Sequence, residues 1–143
     1  LEQQIHRYTE NSKAAYAALP NTLTISYGDK AANTIDIAIP AHDKPSPMLV
    51  FIHGGYWRMM DKSDFSWVAS PFVEAGISVA VVNYALVPTV TLETIVRQQL
   101  RALTWLWDKA NMLGFARDKI VVGGHSAGGH LTGMMPRLRR LPI

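Results

Sequence analysis

Lys119-Ile-Val-Val-Gly-Gly-His-Ser-Ala-Gly128 decides how the rest of this chain is read. Its apolar run, Lys119 to Val122, has strand character, and Ala127 to Met135 is compatible with a helix. Gly124-His-Ser-Ala-Gly128 therefore falls at a strand–turn–helix junction. So tight a turn holds Ser126 in a strained backbone conformation, its hydroxyl projecting from the C-terminal edge of a sheet. Glycines two before and two after the serine let strand and helix approach without Cβ clashes. The helix start then aims free N–H groups, that of Ala127 first, at charge developing beside the serine. A dinucleotide fingerprint would need a glycine where His125 or Ser126 stands, and a P-loop would need lysine where Gly129 stands. A generic glycine-rich turn is the remaining alternative to a nucleophile turn.

Upstream, Met48 to Ile52 and Ile77 to Val82 are near-continuous apolar runs like Lys119 to Val122, the pattern of strands covered on both faces by crossover helices. Between the first two, Ser70-Pro71 predicts a helix start that Gly76 closes. Between the second and third, a long helix is predicted over Leu92 to Leu113, capped by Thr91 and stopped by Gly114. Leu92, Val96, Leu100, Leu103, Trp107 and Ala110 form its expected apolar stripe, with Trp105 and Trp107 read as core and rim packing. Glu93 and Arg97 make a favourable i,i+4 pair. Residues 2 to 19 read as a helix stopped by Pro20. Thr22 to Tyr27 and Thr34 to Ile39 read as a hairpin, the second strand having one drier face through Ile35, Ile37 and Ile39. Pro40 to Pro47 reads as a surface loop. The whole is an α/β protein with a mostly parallel sheet and one domain at most.

The 143 residues are 48% hydrophobic and 17% charged, which excludes a disordered chain. No stretch approaches the roughly 18 apolar residues of a membrane span. Leu1 to Glu10 lacks a secretory segment, and the absence of cysteine excludes disulfides and thiolate chemistry; both fit a cytoplasmic setting. The net charge of +3 is concentrated in Pro136-Arg-Leu-Arg-Arg-Leu-Pro-Ile143, so no basic surface for nucleic acid is expected on a body that is otherwise neutral. His42-Asp43, His53 and His125 lack the spacing to bring three metal ligands together, and no metal or cofactor is implied.

His53-Gly-Gly-Tyr-Trp57 follows the strand Met48 to Ile52. Two glycines at a strand's C-terminal end let backbone N–H groups turn toward a ligand, the requirement for the second half of an oxyanion hole. Tyr56 and Trp57 either pack the loop down or form an aromatic wall for the substrate. His53 is either a base or an anchor of the loop.

With Asn83-Tyr-Ala-Leu-Val-Pro88 after the next strand, these residues resemble the α/β-hydrolase superfamily, and within its esterase/lipase branch the kynurenine formamidase (arylformamidase) group. That group's HGG-x-W signature corresponds to His53, Gly54, Gly55 and Trp57, and its serine elbow to Gly124-His-Ser-Ala-Gly128. Tyr56 and Ala85 depart from the HGGG esterases, which carry glycine and arginine there. The resemblance covers roughly residues 20 to 135. It implies a two-step acyl transfer in which Ser126 is the nucleophile and N–H groups of Gly54, Gly55, Tyr56 and Ala127 hold the oxyanion. His53 and Trp57 belong to the loop and substrate wall, and the superfamily's triad order favours the anchoring role for His53. The substrate class implied is a small ester or an aryl formamide.

The superfamily's order is nucleophile, acid, histidine. After Ser126 this chain has a single histidine, His130, and no Asp or Glu. His130 lies one helical turn past the serine, and none of His6, His42 and His125 is placed as a base. The chain therefore reads as the N-terminal part of one hydrolase domain over residues 1–135, with an atypical basic tail over 136–143 and a helix broken at Pro136. On the superfamily's strand order, Lys119 to Val122 would be left as an exposed edge, open to self-association or to a completing chain. The alternative is a non-catalytic remnant or interaction module.

Overall fold

A computed structural model describes residues 1–41 and 44–138. His42 and Asp43 of the expected loop, and residues 139–143 of the basic tail, lie outside the described residues. Five strands form one sheet: β1 (Asn21–Ser26), β2 (Thr34–Ile39), β3 (Ser46–Ile52), β4 (Ser78–Val82) and β5 (Phe115–Gly124). Their order is β1-β2-β4-β3-β5. The β1–β2 hairpin and the β2–β4 pair are antiparallel, while β4–β3 and β3–β5 are parallel. Helices α1 (Glu2–Ala18), α2 (Ala69–Glu74), α3 (Leu92–Leu113) and α4 (Ala127–Leu138) cover the faces.

Alternation along β4 sorts the core into two layers. Val79 and Val81 pack with Phe65, Ala69 and Val73 of the segment that leads into and forms α2, with Tyr8 of α1 against them. Ala80 and Val82 pack with Ala102, Leu106 and Ala110 of α3. A third cluster joins Ile52, Tyr84, Ile95 and Val96 to Leu131 and Met135 of α4, so the helix after the elbow is anchored against β3 and α3. None of the helices among the described residues is long and apolar enough to cross a membrane.

Local caps set α3 as the sequence predicts. Thr91 Oγ1 accepts the Thr94 N–H at 3.2 Å, Gly114 takes the left-handed conformation at φ 83°, and Arg97 pairs with Glu93 at 2.8 Å. The buried stripe is rotated from the expected one: Ile95, Val96, Gln98, Gln99, Ala102, Leu106 and Ala110 face inward, while Leu92 and Trp107 are exposed. Arg117 lies over the Trp107 ring on the outside.

Four further expectations are corrected. α2 does not begin at Ser70; a 3-10 turn over Ser66–Val68 runs straight into it, so preceding carbonyls replace a side-chain cap. β2 has no wet face, because Asp36 and Ala38 are buried as well as Ile35 and Ile37. Asp36 is accommodated by Thr24 Oγ1 at 2.5 Å and Lys62 Nζ at 3.0 Å. The loop expected to reach Pro47 ends earlier, since β3 starts at a buried Ser46. α4 does not break at Pro136 but continues to Leu138: the missing proline N–H removes one helical hydrogen bond, and the turn holds without it.

β5 departs most. It is covered on one side only, not on both, and leaves Val121 64% exposed; its pairing with β3 alone among the described residues makes it the exposed edge that the strand order led one to expect. It also starts earlier than expected, at Phe115, and its register jumps from Ser46↔Phe115 to Met48↔Ile120. Pro47 sits at that jump and has no N–H to offer the ladder.

Candidate active site

Ser126 lies between the end of β5 and the start of α4, exposed, with φ 55°. A non-glycine residue in the left-handed region is strained by about 1–2 kcal/mol, and here the close packing of the turn enforces it. A Cβ at Gly128 would run into the Ile52 carbonyl oxygen and come within 2.8 Å of the His53 carbonyl oxygen. A Cβ at Gly124 would meet the Gly128 backbone and lie 2.8 Å from Gly129 N. The turn is closed by Gly128 N–H donating to His125 O at 2.9 Å and by His125 N–H donating to Ile52 O at 3.2 Å. The elbow is thus tied to the end of β3, where the glycine loop begins.

That loop takes positive φ at three successive residues, Gly55 at 118°, Tyr56 at 53° and Trp57 at 60°, and is strained at the last two, which are not glycine. Gly54 packs against the elbow so closely that a Cβ there would lie 2.8 Å from His125 O and 3.2 Å from Ser126 Cβ. Met59 and Arg58 both donate backbone N–H to Gly55 O, curling the loop back on itself. Among the described residues, no acceptor engages the backbone N–H of Gly54, Gly55, Tyr56 or Ala127. Tyr56 points outward, 69% exposed. Trp57 is half-buried and meets the His130 ring edge-on at 5.2 Å.

His53 is entirely buried. Its Nδ1 lies 2.7 Å from Gly54 O and its Nε2 3.1 Å from Asn83 Oδ1. Its ring stacks on Tyr84 at 4.3 Å, and the Tyr84 hydroxyl donates to His53 O at 2.7 Å. Burial lowers the His53 pKa, against the pull of the Gly54 and Asn83 hydrogen bonds and of Asp61 and Asp64. Burial likewise pushes the Tyr84 phenol up. Asn83 Nδ2 donates to Asp61 Oδ2 at 2.8 Å, and Lys62 N–H donates to Asn83 Oδ1 at 3.2 Å. Partial burial works to raise the Asp61 carboxyl, but hydrogen bonds from Ser63 and Asn83 and the charge of Lys62 outweigh it and leave the pKa lowered.

The structure therefore brings Ser126, Gly54, Gly55, Tyr56 and Ala127 to one end of the sheet, with His53 underneath as the loop's anchor. It does not bring His130 into line as a base: His130 N–H donates to Ser126 O at 3.1 Å and its ring faces Trp57. Sequence reading assigned no role to Asn83, which lies against His53 Nε2, or to Asp61, which holds Asn83. Their signals were a polar residue just past the apolar run Val79 to Val82 and an Asp61-Lys-Ser-Asp64 capping box.

Fold and site together define the class, an α/β-hydrolase of the esterase and arylformamidase-like kind. The chain matches the BD-FAE family over residues 35–140 and belongs to it. It is 42% identical over 86 residues to a kynurenine formamidase of Drosophila melanogaster, covering 60% of this chain and 28% of that one. It is 27% identical over 128 residues to a kynurenine formamidase of Danio rerio, covering 89% and 41%. The crystal structure of an inhibited esterase B from Lactobacillus rhamnosis superposes with a TM-score of 0.76 at 26% identity, over 94% of this chain and 47% of that one. The chain spans less than half the length of these relatives.

Proposed function

We propose that Ser126 is the nucleophile of a serine hydrolase acting on small carboxylic esters or aryl formamides. The observation that carries this reading is the strained, exposed serine at the strand–turn–helix junction, packed beside the glycine loop, with the N–H groups of that loop and of Ala127 not engaged by any acceptor among the described residues. Ser126 Oγ attacks the carbonyl, the N–H groups of Ala127 and of the Gly54–Tyr56 loop take the oxyanion, and water releases the acid. Formamidase and esterase relatives support both leaving groups, an aryl amine and an alcohol. Trp57, beside Tyr56, is the proposed aromatic wall; His53 has no face open to a substrate and acts as the loop's anchor. The absence of cysteine supports a cytoplasmic setting.

The acid and histidine of the triad belong to sequence outside this chain, residues 1–135 being the N-terminal part of the hydrolase domain and 136–143 a basic tail whose first residues continue α4. Turnover of an aryl formamide or of p-nitrophenyl acetate by the 143 residues alone is then expected near background, at best on the order of 10³ over water. Multiple turnover with stoichiometric fluorophosphonate labelling of Ser126 would overturn that assignment. Coding DNA beyond Met135, read in all three frames, is expected to carry an acidic residue and then a histidine in hydrolase-like context. Finding neither removes the truncated-hydrolase reading.

A second reading, an interaction module that associates through β5, is favoured by the single-sided pairing of that strand and the exposure of Val121. A monomer at high concentration in light scattering counts against it.

A further inference from the structure

We propose that Asn83 and Asp61 are positioning residues of the glycine loop: Asp61 fixes which way the Asn83 amide faces, and that amide makes the His53 ring a proton-gated clasp on the loop. The orientation follows from Asn83's other partners. Its Nδ2 faces the Asp61 carboxylate at 2.8 Å and its Oδ1 accepts from Lys62 N–H at 3.2 Å. A reversed amide would set oxygen against carboxylate and N–H against N–H. Asn83 therefore offers His53 an oxygen.

Gly54 offers the other ring nitrogen an oxygen as well, so both His53 nitrogens face acceptors. A neutral imidazole has one proton. The shorter contact, Nδ1 to Gly54 O at 2.7 Å, takes it, which leaves the Nε2 lone pair opposite Asn83 Oδ1 at 3.1 Å. A second proton, delivered to Nε2 by solvent acid, turns that repulsive contact into a hydrogen bond. His53 would then tie Gly54, and with it Gly55 and Tyr56, to Asn83 at the end of β4.

The surroundings set when the proton arrives. Asp61 and Asp64 favour it, whereas burial between the Tyr84 and Phe65 rings opposes it. Lys62 carries the nearby positive charge but turns its Nζ to Asp36. Tyr84 holds its phenol proton, and His125 stands beyond Phe65, with ring centroids 6.4 Å apart. The clasp is therefore open at neutral pH and closes below the ordinary histidine range.

The consequence for catalysis rests on reading the loop as an oxyanion hole, but the test does not. Ring and amide ¹⁵N signals of the full chain are followed from pH 8 to pH 4. The expected result is a protonated Nδ1 and bare Nε2 at neutral pH, with Nε2 gaining its proton and the Gly54, Gly55 and Tyr56 amide signals moving at the same midpoint. Asp61→Asn keeps an oxygen to cap Ser63 but removes the carboxylate that both orients the Asn83 amide and favours the second proton on His53, and the midpoint should drop by about one pH unit. Asn83→Ala removes the acceptor and should lower the midpoint similarly, which covers the case in which Asp61→Asn does not fold. An unchanged midpoint in whichever of these variants folds, or loop amides indifferent to the His53 titration, overturns the proposal. Labelling of Ser126 is read separately, so failure of the clasp and failure of the hydrolase reading are distinguishable.

Discussion

β4 lies between β2 and β3, and all five of its residues are buried; β5, among the described residues, pairs with β3 alone and leaves Val121 64% exposed. Yet Val-Ala-Val-Val and Ile-Val-Val are nearly the same apolar text. Burial of a strand is decided by what lies on either side of it, and neither side is written in the strand itself. What β5 does specify locally is its end. Gly124 and Gly128 fit only because backbone from the start of α4 and from β3 passes where their side chains would be. The edge strand is thus loosely constrained along its length and tightly constrained at its C-terminus, whereas β4 is constrained throughout.

The largest expected effect tests that tight end. Gly128→Ala places a methyl group on the Ile52 carbonyl oxygen, backbone against backbone, which no rotamer change relieves. A loss of at least about 3 kcal/mol, or failure to fold, is expected in denaturant unfolding. A change below 1 kcal/mol would mean that α4 can lift off β3 freely. Val81→Ala probes the centre of the sheet: truncation of a fully buried side chain should cost about 2 kcal/mol in the same measurement.

Next in size comes a pH effect rooted at the end of β4. Burial, the largest influence on His53, lowers its pKa in the fold relative to the unfolded chain. Below the unfolded value of about 6.5 the unfolded chain binds a proton that the folded one refuses. Stability should therefore be fully present above that pH and fall by at most about 1.4 kcal/mol per pH unit as pH drops toward the folded value. His53→Gln should flatten the slope between pH 6.5 and the folded midpoint. A slope there equal to that of the wild type assigns the proton uptake to another group.

How much of this was legible follows the same division between local and distant causes. α3 was readable to the residue, because Thr91 and Gly114 act on their own neighbours. The Ser126 elbow and the Gly54–Gly55 loop were readable because glycine at those spacings has a local steric reason. The start of α2, the covered outer face of β2 and the rotated stripe of α3 were not, since each depends on what packs from elsewhere. The α1 helix, for example, lies over the 3-10 turns that feed α2, its Ser12 Oγ accepting Trp67 N–H at 3.2 Å. In the site, the His53–Asn83 contact spans 30 residues and Asn83–Asp61 spans 22, beyond any spacing rule.

Adjacent glutamines on α3 repeat the lesson on a smaller scale. Gln98 Oε1 accepts the Ala85 N–H at 3.0 Å, whereas Gln99, 1% exposed, has both side-chain polar atoms without a partner among the described residues. Gln99→Met keeps the length of the side chain and removes the unpaired amide, so it should stabilise by about 1 kcal/mol in denaturant unfolding. Gln98→Met strands a backbone N–H and should destabilise by a similar amount. Destabilisation by both would show that Gln99 holds a buried partner, such as an ordered water.

The smallest effect, that of Val121→Thr, gives the sharpest test of the strand comparison. Val81→Thr and Val121→Thr make the same chemical change in the two strands, replacing a methyl group with a hydroxyl while keeping β-branching. At position 81 the hydroxyl enters a packed apolar layer formed with Val79, Phe65 and Ala69, and its desolvation should cost about 1–3 kcal/mol. At position 121 the side chain faces out, so the change should stay within about 0.5 kcal/mol. If the two costs were equal, Val121 would be buried in solution, as it would be by another chain on the free side of β5. Repeating the Val121→Thr measurement across protein concentration separates these cases, because a cost arising from association grows with concentration and a cost arising within the fold does not.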